Sequence, residues 1–288
     1  MKVQHASCCG LAAMLLLAAP PAVLAQIQGV PEESTAGTAQ LPLWEIGLVG
    51  LGMSQQAYPG ASQQVGRGLA LPYLIYRGRF LRADREGLGI RALNTPRFEF
   101  DIGLAAAFGA PSDEVDARRG MPDLGTLVEF GPRLKWHLGQ GPGGSRTRAE
   151  FALRGVFDLD DRLSHKGISF EPRLIHEWRG SGGWRYNASV GAVLGNRRLA
   201  DTFYGVAPAY ATATRPAHTA ESGLIAWRLG AGMSRELTQQ LRVFGFAHID
   251  SVAGAANRAS PLVQQTLGAS IGLGLTYTFA RSSTLVLD

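Results

Sequence analysis

Residues able to do acid–base chemistry are sparse in this chain, and few of them gather. After residue 25 the histidines are His137, His165, His176, His218 and His248. None stands in a metal-ligand spacing such as His-x-x-x-His. His248 and Asp250 are two residues apart, so on an extended strand they share a face, where a carboxylate can orient an imidazole for general-base work. A lipid hydrolase also needs a nucleophile beside that base, and no such set is present. The alternative is that His248 and Asp250 are polar groups paired with Arg242. Asp113, Glu114, Asp116 and Asp123 are acidic but lack EF-hand spacing, which points to a solvated loop rather than a calcium site. No catalytic residue, cofactor site or metal site is therefore expected. The more telling charges sit at alternate positions: Glu99, Asp101, Glu129, Arg133, Lys135, Glu150, Arg154, Glu171, Arg173, Glu177, Arg185 and Arg228.

The elements that carry these charges are strands. Phe98, Phe100, Ile102 and Leu104 oppose Glu99, Asp101 and Gly103. Phe130, Leu134 and Trp136 oppose Glu129, Arg133 and Lys135, and the alternation continues through Ile225–Met233. It is longest in Leu267–Phe279, where Leu, Ala, Ile, Tyr and Phe hold one parity and Gly, Ser and Thr the other. A period of two is the signature of a strand with one apolar face. In a soluble sandwich that face lies in a core. In a transmembrane barrel it turns outward to lipid, with aromatic girdles where strands leave the hydrocarbon. Two features favour the barrel. The segments approach the ~9–11 residues of a tilted membrane strand. Trp44, Trp136, Trp178, Trp184 and Tyr277 sit at strand ends, where interfacial aromatics belong.

Targeting and composition agree. Lys2, an apolar run from Leu11 to Ala19 and the small residues before Gln26 read as a secretory signal peptide cleaved after Ala25. Cys8 and Cys9 fall inside it, so the mature chain is expected to fold without disulfides. No later run reaches the ~18 apolar residues of a membrane helix. The 37 glycines suit crowded barrel walls, and the net charge of +5 comes mainly from arginine. An exported chain with no basic cluster excludes nucleic-acid binding. The arginines are expected to pair with carboxylates or to face lipopolysaccharide.

The expected organisation is a signal at 1–25, a flexible periplasmic lead-in at 26–42, a barrel at 43–279 and a tail at 280–288. Counting twelve strands from a periplasmic N-terminus makes the odd-to-even connections long, except Arg85–Gly87, and the even-to-odd ones short. That is the loop asymmetry of bacterial outer-membrane barrels. Counting ten breaks the parity and is the fallback. Within 69–94 three short strands are expected, with the preceding loop spanning Gln55–Gly68. The fold class is thus all-β: a transmembrane antiparallel up-and-down β-barrel with long extracellular loops and short periplasmic turns. Its lumenal charges form either a small selective pore or a closed, salt-bridged core. The longest loop, Asn196–Ser222, offers Phe203, Tyr204 and Tyr210 as a partner contact or a pore constriction, or else it folds into the lumen or onto the rim.

Several stretches, in order, resemble the MipA/OmpV family of outer-membrane proteins. They are Trp44-Glu45-Ile46-Gly47-Leu48, Tyr58-Pro59-Gly60-Ala61, Leu71–Gly78 followed by Arg79-Phe80-Leu81-Arg82, Gly87–Ile90, Arg119–Gly125, Ala200–Val206 and Leu275–Phe279. The resemblance implies an outer-membrane barrel without catalytic residues. The closing Gly274-x-x-Tyr277-x-Phe279 resembles the signal that outer-membrane barrels present to their insertion machinery, and the family resemblance implies as partners a lytic transglycosylase and a penicillin-binding protein, held together by a scaffold that links peptidoglycan synthesis to hydrolysis. A small porin or osmotic and antibiotic-response channel is the alternative, and a lipid-modifying enzyme the least favoured. The family typically ends at the aromatic of its last strand, whereas this chain continues through Ala280–Asp288.

Overall fold

The computed structural model describes residues 40–287 except 78–80, 85–86 and 91–92, with backbone only for the rest of 78–94 and for Leu287. The expected signal and most of the expected lead-in lie outside the described residues. One antiparallel sheet of thirteen strands dominates. In chain order these are β2 (Trp44–Gln56), β3 (Gln64–Arg77), β4 (Leu81–Asp84), β5 (Gly87–Ile90), β6 (Leu93–Asn94), β7 (Phe98–Ala107), β8 (Leu127–Gln140) and β9 (Arg146–Asp158). They continue with β10 (Ser164–Arg179), β11 (Arg185–Gly195), β12 (Gly223–Glu236), β13 (Leu241–Ser251) and β14 (Leu267–Arg281). Sequence neighbours pair along most of the wall, and β14 returns to bond β2 through pairs such as Leu275↔Gly50. The free ends of this order are β5 and β6, separated only by residues 91–92, so the sheet comes back on itself.

The alternation seen in the sequence sets the two faces. On β14, Leu267, Ile271, Leu273 and Leu275 are at least half exposed, while Gly268, Ser270, Gly272, Thr276 and Thr278 are buried. The same inversion recurs on β8, where Phe130 and Trp136 face out and Arg133 and Lys135 are buried. An apolar outer face and a polar inner face fit a wall solvated by lipid, not a soluble core. Aromatic contacts mark both ends of the apolar band. Phe98 stacks on Trp136, and Tyr186 stacks on Trp178 and Trp184, at the turn end. Phe157 meets Phe130 and His165 at the loop end.

Glycine on β14 has a steric cause. Phe244 and Phe246 of β13 point inward and lie flat across Gly274 and Gly272, where a Cβ would enter the rings. With Val49, Leu51, Met53, Tyr73 and Ile75 they form an apolar half-lumen. Tyr73 Oη and Thr278 Oγ1, 2.5 Å apart, tie β3 to β14 across it.

Three expectations need correction. First, β3 begins at Gln64, so the preceding connection spans only 57–63. The first of the three strands expected to be short is thus 14 residues long, short strands follow it as expected, and the long strands number ten, the fallback count, not twelve. The glycines of Gln64–Gly68 gave no apolar alternation to read, yet their backbones bond β2 throughout. Second, the lead-in and tail are not loose where described. β1 (Gln40–Pro42) pairs with β15 (Leu285–Leu287) in a separate two-stranded sheet. Leu43 N–H donating to Thr284 O and Ser282 N–H donating to Trp44 O fasten it to the turn end. Third, the stretch 196–222, expected to be loop throughout, contains a helix. Asn196 caps a helix, α1 (Arg197–Tyr204), by accepting from the Leu199 N–H at 3.1 Å.

At the loop end the connections share a core of their own. Tyr58, Ala61, Val115, Leu124, Leu199, Tyr204, Val206, Val252 and Leu262 are all buried together. The long loops thus form a cap over the barrel mouth.

Candidate functional site

The lumenal charges fall into linked groups because neighbouring strands place inward residues in register. On β7 and β8, Asp101 pairs with Arg133 through bonds of 2.9 and 2.6 Å, and Lys135 lies 3.6 Å from Glu99 and 3.7 Å from Asp101. On β9 and β10, Glu150 accepts from Arg148 at 2.8 Å and from Arg173 at 2.7 Å, and Arg148 reaches Glu177 at 2.7 Å. Arg154 donates to Glu171 at 2.9 Å and lies 3.6 Å from Glu129. Arg228 makes two bonds to Asp250, of 2.7 and 2.8 Å, and approaches Glu171 at 3.5 Å. Arg185 pairs with Glu236 at the turn-end rim at 2.9 Å. The inward strand residues therefore meet as paired ions, the arrangement that offsets the cost of burying charge.

The expected partnership of His248 and Asp250 with Arg242 is not the one formed. Arg242 donates to Glu236 at 2.6 Å, whereas Asp250 is held by Arg228 on the adjacent strand. The direct cross-strand pair Arg228↔Asp250 decides this, since it sets both groups side by side on the inner face. His248 Nε2 stands 3.7 Å from Asp250, beyond hydrogen-bond distance. Among the described residues no three His, Cys, Asp or Glu converge as metal ligands.

Between the ion groups and the cap lies a cavity of about 200 Å³. Glu129, Arg228 and His248 line it together with Met53, Phe108 and Phe246. Phe203 also borders it.

The loop aromatics separate into different roles. Tyr204 is buried at 1 % exposure, packs edge-on to Tyr58 and donates to Pro59 O at 3.0 Å. It is a core residue of the cap, so the expectation of an exposed contact fails for it. Tyr210 is exposed, and its carbonyl accepts from Arg215. Tyr58 donates to Leu262 O at 2.8 Å, and its burial pushes the phenol up to about 12 against the opposing pull of Arg118. Arg118 is buried beneath the loops and donates to Thr202 O, Phe203 O and Pro122 O. Burial lowers its pKa. Asp123, by contrast, is exposed, and the Ser112 N–H donated to it at 2.6 Å lowers its pKa.

Sequence reasoning missed Arg148, Arg118 and Tyr58 as structural keystones. Arg148 shares parity with Glu150 and Arg154 and was within reach of the alternation rule. Arg118 and Tyr58 lie in loops, and no local pattern predicts which loop residue a distant loop will cover.

The family model described as "MltA-interacting protein MipA" matches residues 47–279. Among solved structures, the chain is similar to the COG4313 outer membrane channel from Pseudomonas putida F1, with 10 % identity, 86 % of this chain and 100 % of that chain covered, and a TM-score of 0.47. It is also similar to Pseudomonas putida OprB, with 8 % identity, 82 % and 94 % covered and a TM-score of 0.40. Escherichia coli outer membrane phospholipase A gives 13 % identity, 83 % and 94 % covered and a TM-score of 0.34. No curated protein matches the sequence.

Proposed function

The chain belongs to the MipA family of MltA-interacting proteins, and from that premise we propose that this outer-membrane barrel is a non-catalytic scaffold. It holds a lytic transglycosylase and a penicillin-binding protein at the periplasmic face, linking peptidoglycan hydrolysis to synthesis. The observation that carries this is the build of the turn end. The two chain ends pair there as β1 and β15, fastened to the wall, with Leu285 half exposed. Among the described residues neither strand pairs with a third, and a short sheet of that kind suits strand addition by a partner peptide. The lumen supports a scaffold over a conduit. Its charges are paired and its outer mouth lies under a packed cap.

The test is cross-linking in intact envelopes, purification of the barrel and mass spectrometry of what accompanies it. A lytic transglycosylase and a penicillin-binding protein above control are the expected result, and a chain truncated after Arg281 should lose both while staying heat-modifiable on gels. Absence of both enzymes from the intact chain defeats the proposal. Planar-bilayer recordings check the other side. Little ion conductance is expected, and a steady conductance that changes when Arg133 or Arg154 is neutralised would favour the porin.

A further inference from the structure

The wall is incomplete in one place. β3 is 14 residues long, yet it bonds β4 only through Tyr76↔Ala83 and Arg77↔Arg82. β7 bonds β6 only at Glu99 and Phe100. β4, β5 and β6 are four, four and two residues long, too short to follow β3 upward. Val65–Leu71 therefore has no strand neighbour on that side among the described residues. What meets it is the end of β7 and the loop beyond, joined by side chains in place of a ladder. Arg67 donates to Gly109 O at 3.2 Å, and Gln55 of β2 donates to Phe108 O at 3.1 Å. Backbone left unpaired at membrane depth is tolerated where it lines a polar interior or passage. The outer surface beside this seam is also bare. Gly50, Gly52, Gly66 and Gly68 face outward, and a Cβ on any of them would touch nothing.

Gln55 and Phe108 form both a latch of the seam and part of the wall of the lumenal cavity. Parting that latch together with the Arg67 bond to Gly109 O would open the cavity toward the seam. The lining mixes apolar groups, Met53 and Phe246, with charged ones, Glu129 and Arg228, which suits an amphiphile. The sign of its head group follows from the ion groups. Glu171 is answered by Arg154 at 2.9 Å and by Arg228 at 3.5 Å, and Asp250 by Arg228 at 2.7 Å, so these two carboxylates are matched within the cluster. Glu129 is the least neutralised, with Ser169 donating at 2.9 Å and Arg154 only at 3.6 Å. Size limits the tail. An apolar cavity of ~150 Å³ holds benzene, so about 200 Å³ holds a short chain.

We propose that the junction of β3 with the end of β7 is a lateral port through which a short-chain amphiphilic amine passes from the outer leaflet into the lumenal cavity, its ammonium group meeting Glu129.

The test uses the full mature chain in lipid nanodiscs with n-octylamine, n-octanol and n-octanoate as probes. Octylamine should bind roughly tenfold tighter than octanoate, the scale of one charge-assisted hydrogen bond, and Glu129→Gln should erase the difference. Equal binding of the three probes, or an amine preference that survives Glu129→Gln, overturns the head-group assignment. The Gln55→Ala/Arg67→Ala pair should speed octylamine association by roughly fivefold for each net hydrogen bond lost, while Tyr204→Ala, which loosens the cap, leaves it unchanged. The reverse pattern places the route through the cap and overturns the port. Hydrogen exchange on the unaltered chain decides the seam without any variant. Amides of Val65–Leu71 that face β7 should exchange much faster than those facing β2, and equal protection overturns it.

Discussion

Removing Arg228 should cost far more than removing it together with Asp250. Asp250 is 6 % exposed and accepts both guanidinium bonds, at 2.7 and 2.8 Å. In Arg228→Met its nearest remaining cation-forming group is His248, at 3.7 Å. Two unit charges about 4 Å apart attract by about 4 kcal/mol at an effective dielectric of ~20. Breaking one side of a buried pair costs about 3–5 kcal/mol because the other charge stays behind. Replacing both sides with apolar groups is often neutral or better. Arg228→Met should therefore lose about 3–5 kcal/mol, and Arg228→Met/Asp250→Leu should recover most of it. Glu171 keeps its 2.9 Å bond from Arg154 in both variants, so the network does not collapse around the double change. The assay is urea unfolding in lipid vesicles, followed by tryptophan fluorescence and by the heat-modifiable gel band. A single variant within about 1 kcal/mol of the parent, or a double variant that loses the sum of the two singles, would refute the claim that lumenal ions are buried and mutually dependent.

Other outcomes follow from the same contacts. Gly272→Val should destabilise the barrel by about 1–3 kcal/mol by overpacking, and Phe246→Ala in the same chain should restore much of it, read as paired urea midpoints. Tyr204→Ala removes a buried ring and its bond to Pro59 O, so about 3–5 kcal/mol of cap packing should go. Limited proteolysis should then cut within 196–222 while the barrel band persists. Asp123 has its pKa lowered in the folded chain by the Ser112 N–H, so its contribution is complete above its ordinary value and is lost as pH falls through the lowered one. Exchange protection at the Ser112 amide should thus hold through mildly acidic pH and fail only below the usual carboxylate range. In Asp123→Asn that protection should be weaker and independent of pH.

Much of the wall was legible in the sequence because a strand's chemistry is written at period two. Leu267–Phe279 and Phe98–Leu104 declare two faces without any knowledge of a partner, and long segments with charges inside an apolar alternation already separate a lipid-facing wall from a soluble sheet. Connection lengths then told the long-loop end from the short-turn end. That signal failed where residues carry no face. Gln64–Gly68 reads as loop because glycine has no side chain to alternate, yet its backbone completes β3. Ala280–Asp288 reads as a surplus tail because pairing with Gln40–Pro42 depends on two chain ends meeting.

The candidate site divides the same way. That Glu129, Arg154, Glu171, Arg228 and Asp250 point inward is local and follows from parity. Which acid meets which base is not local. It depends on register across four or five strands, and a shift of one residue would exchange every partner. So the sequence placed His248 and Asp250 on one face, but only the pairing of β12 with β13 put Arg228, rather than Arg242, against Asp250. The cap lies wholly on the tertiary side. Tyr58, Arg118 and Tyr204 belong to separate loops and become a core only when the barrel brings their ends to one rim. Sequence alone determines the membrane-facing period, because lipid acts on every strand independently. Ion partners come from the register between adjacent strands, and cap and seam from contacts between residues far apart in the chain, which only the curling of the sheet brings together.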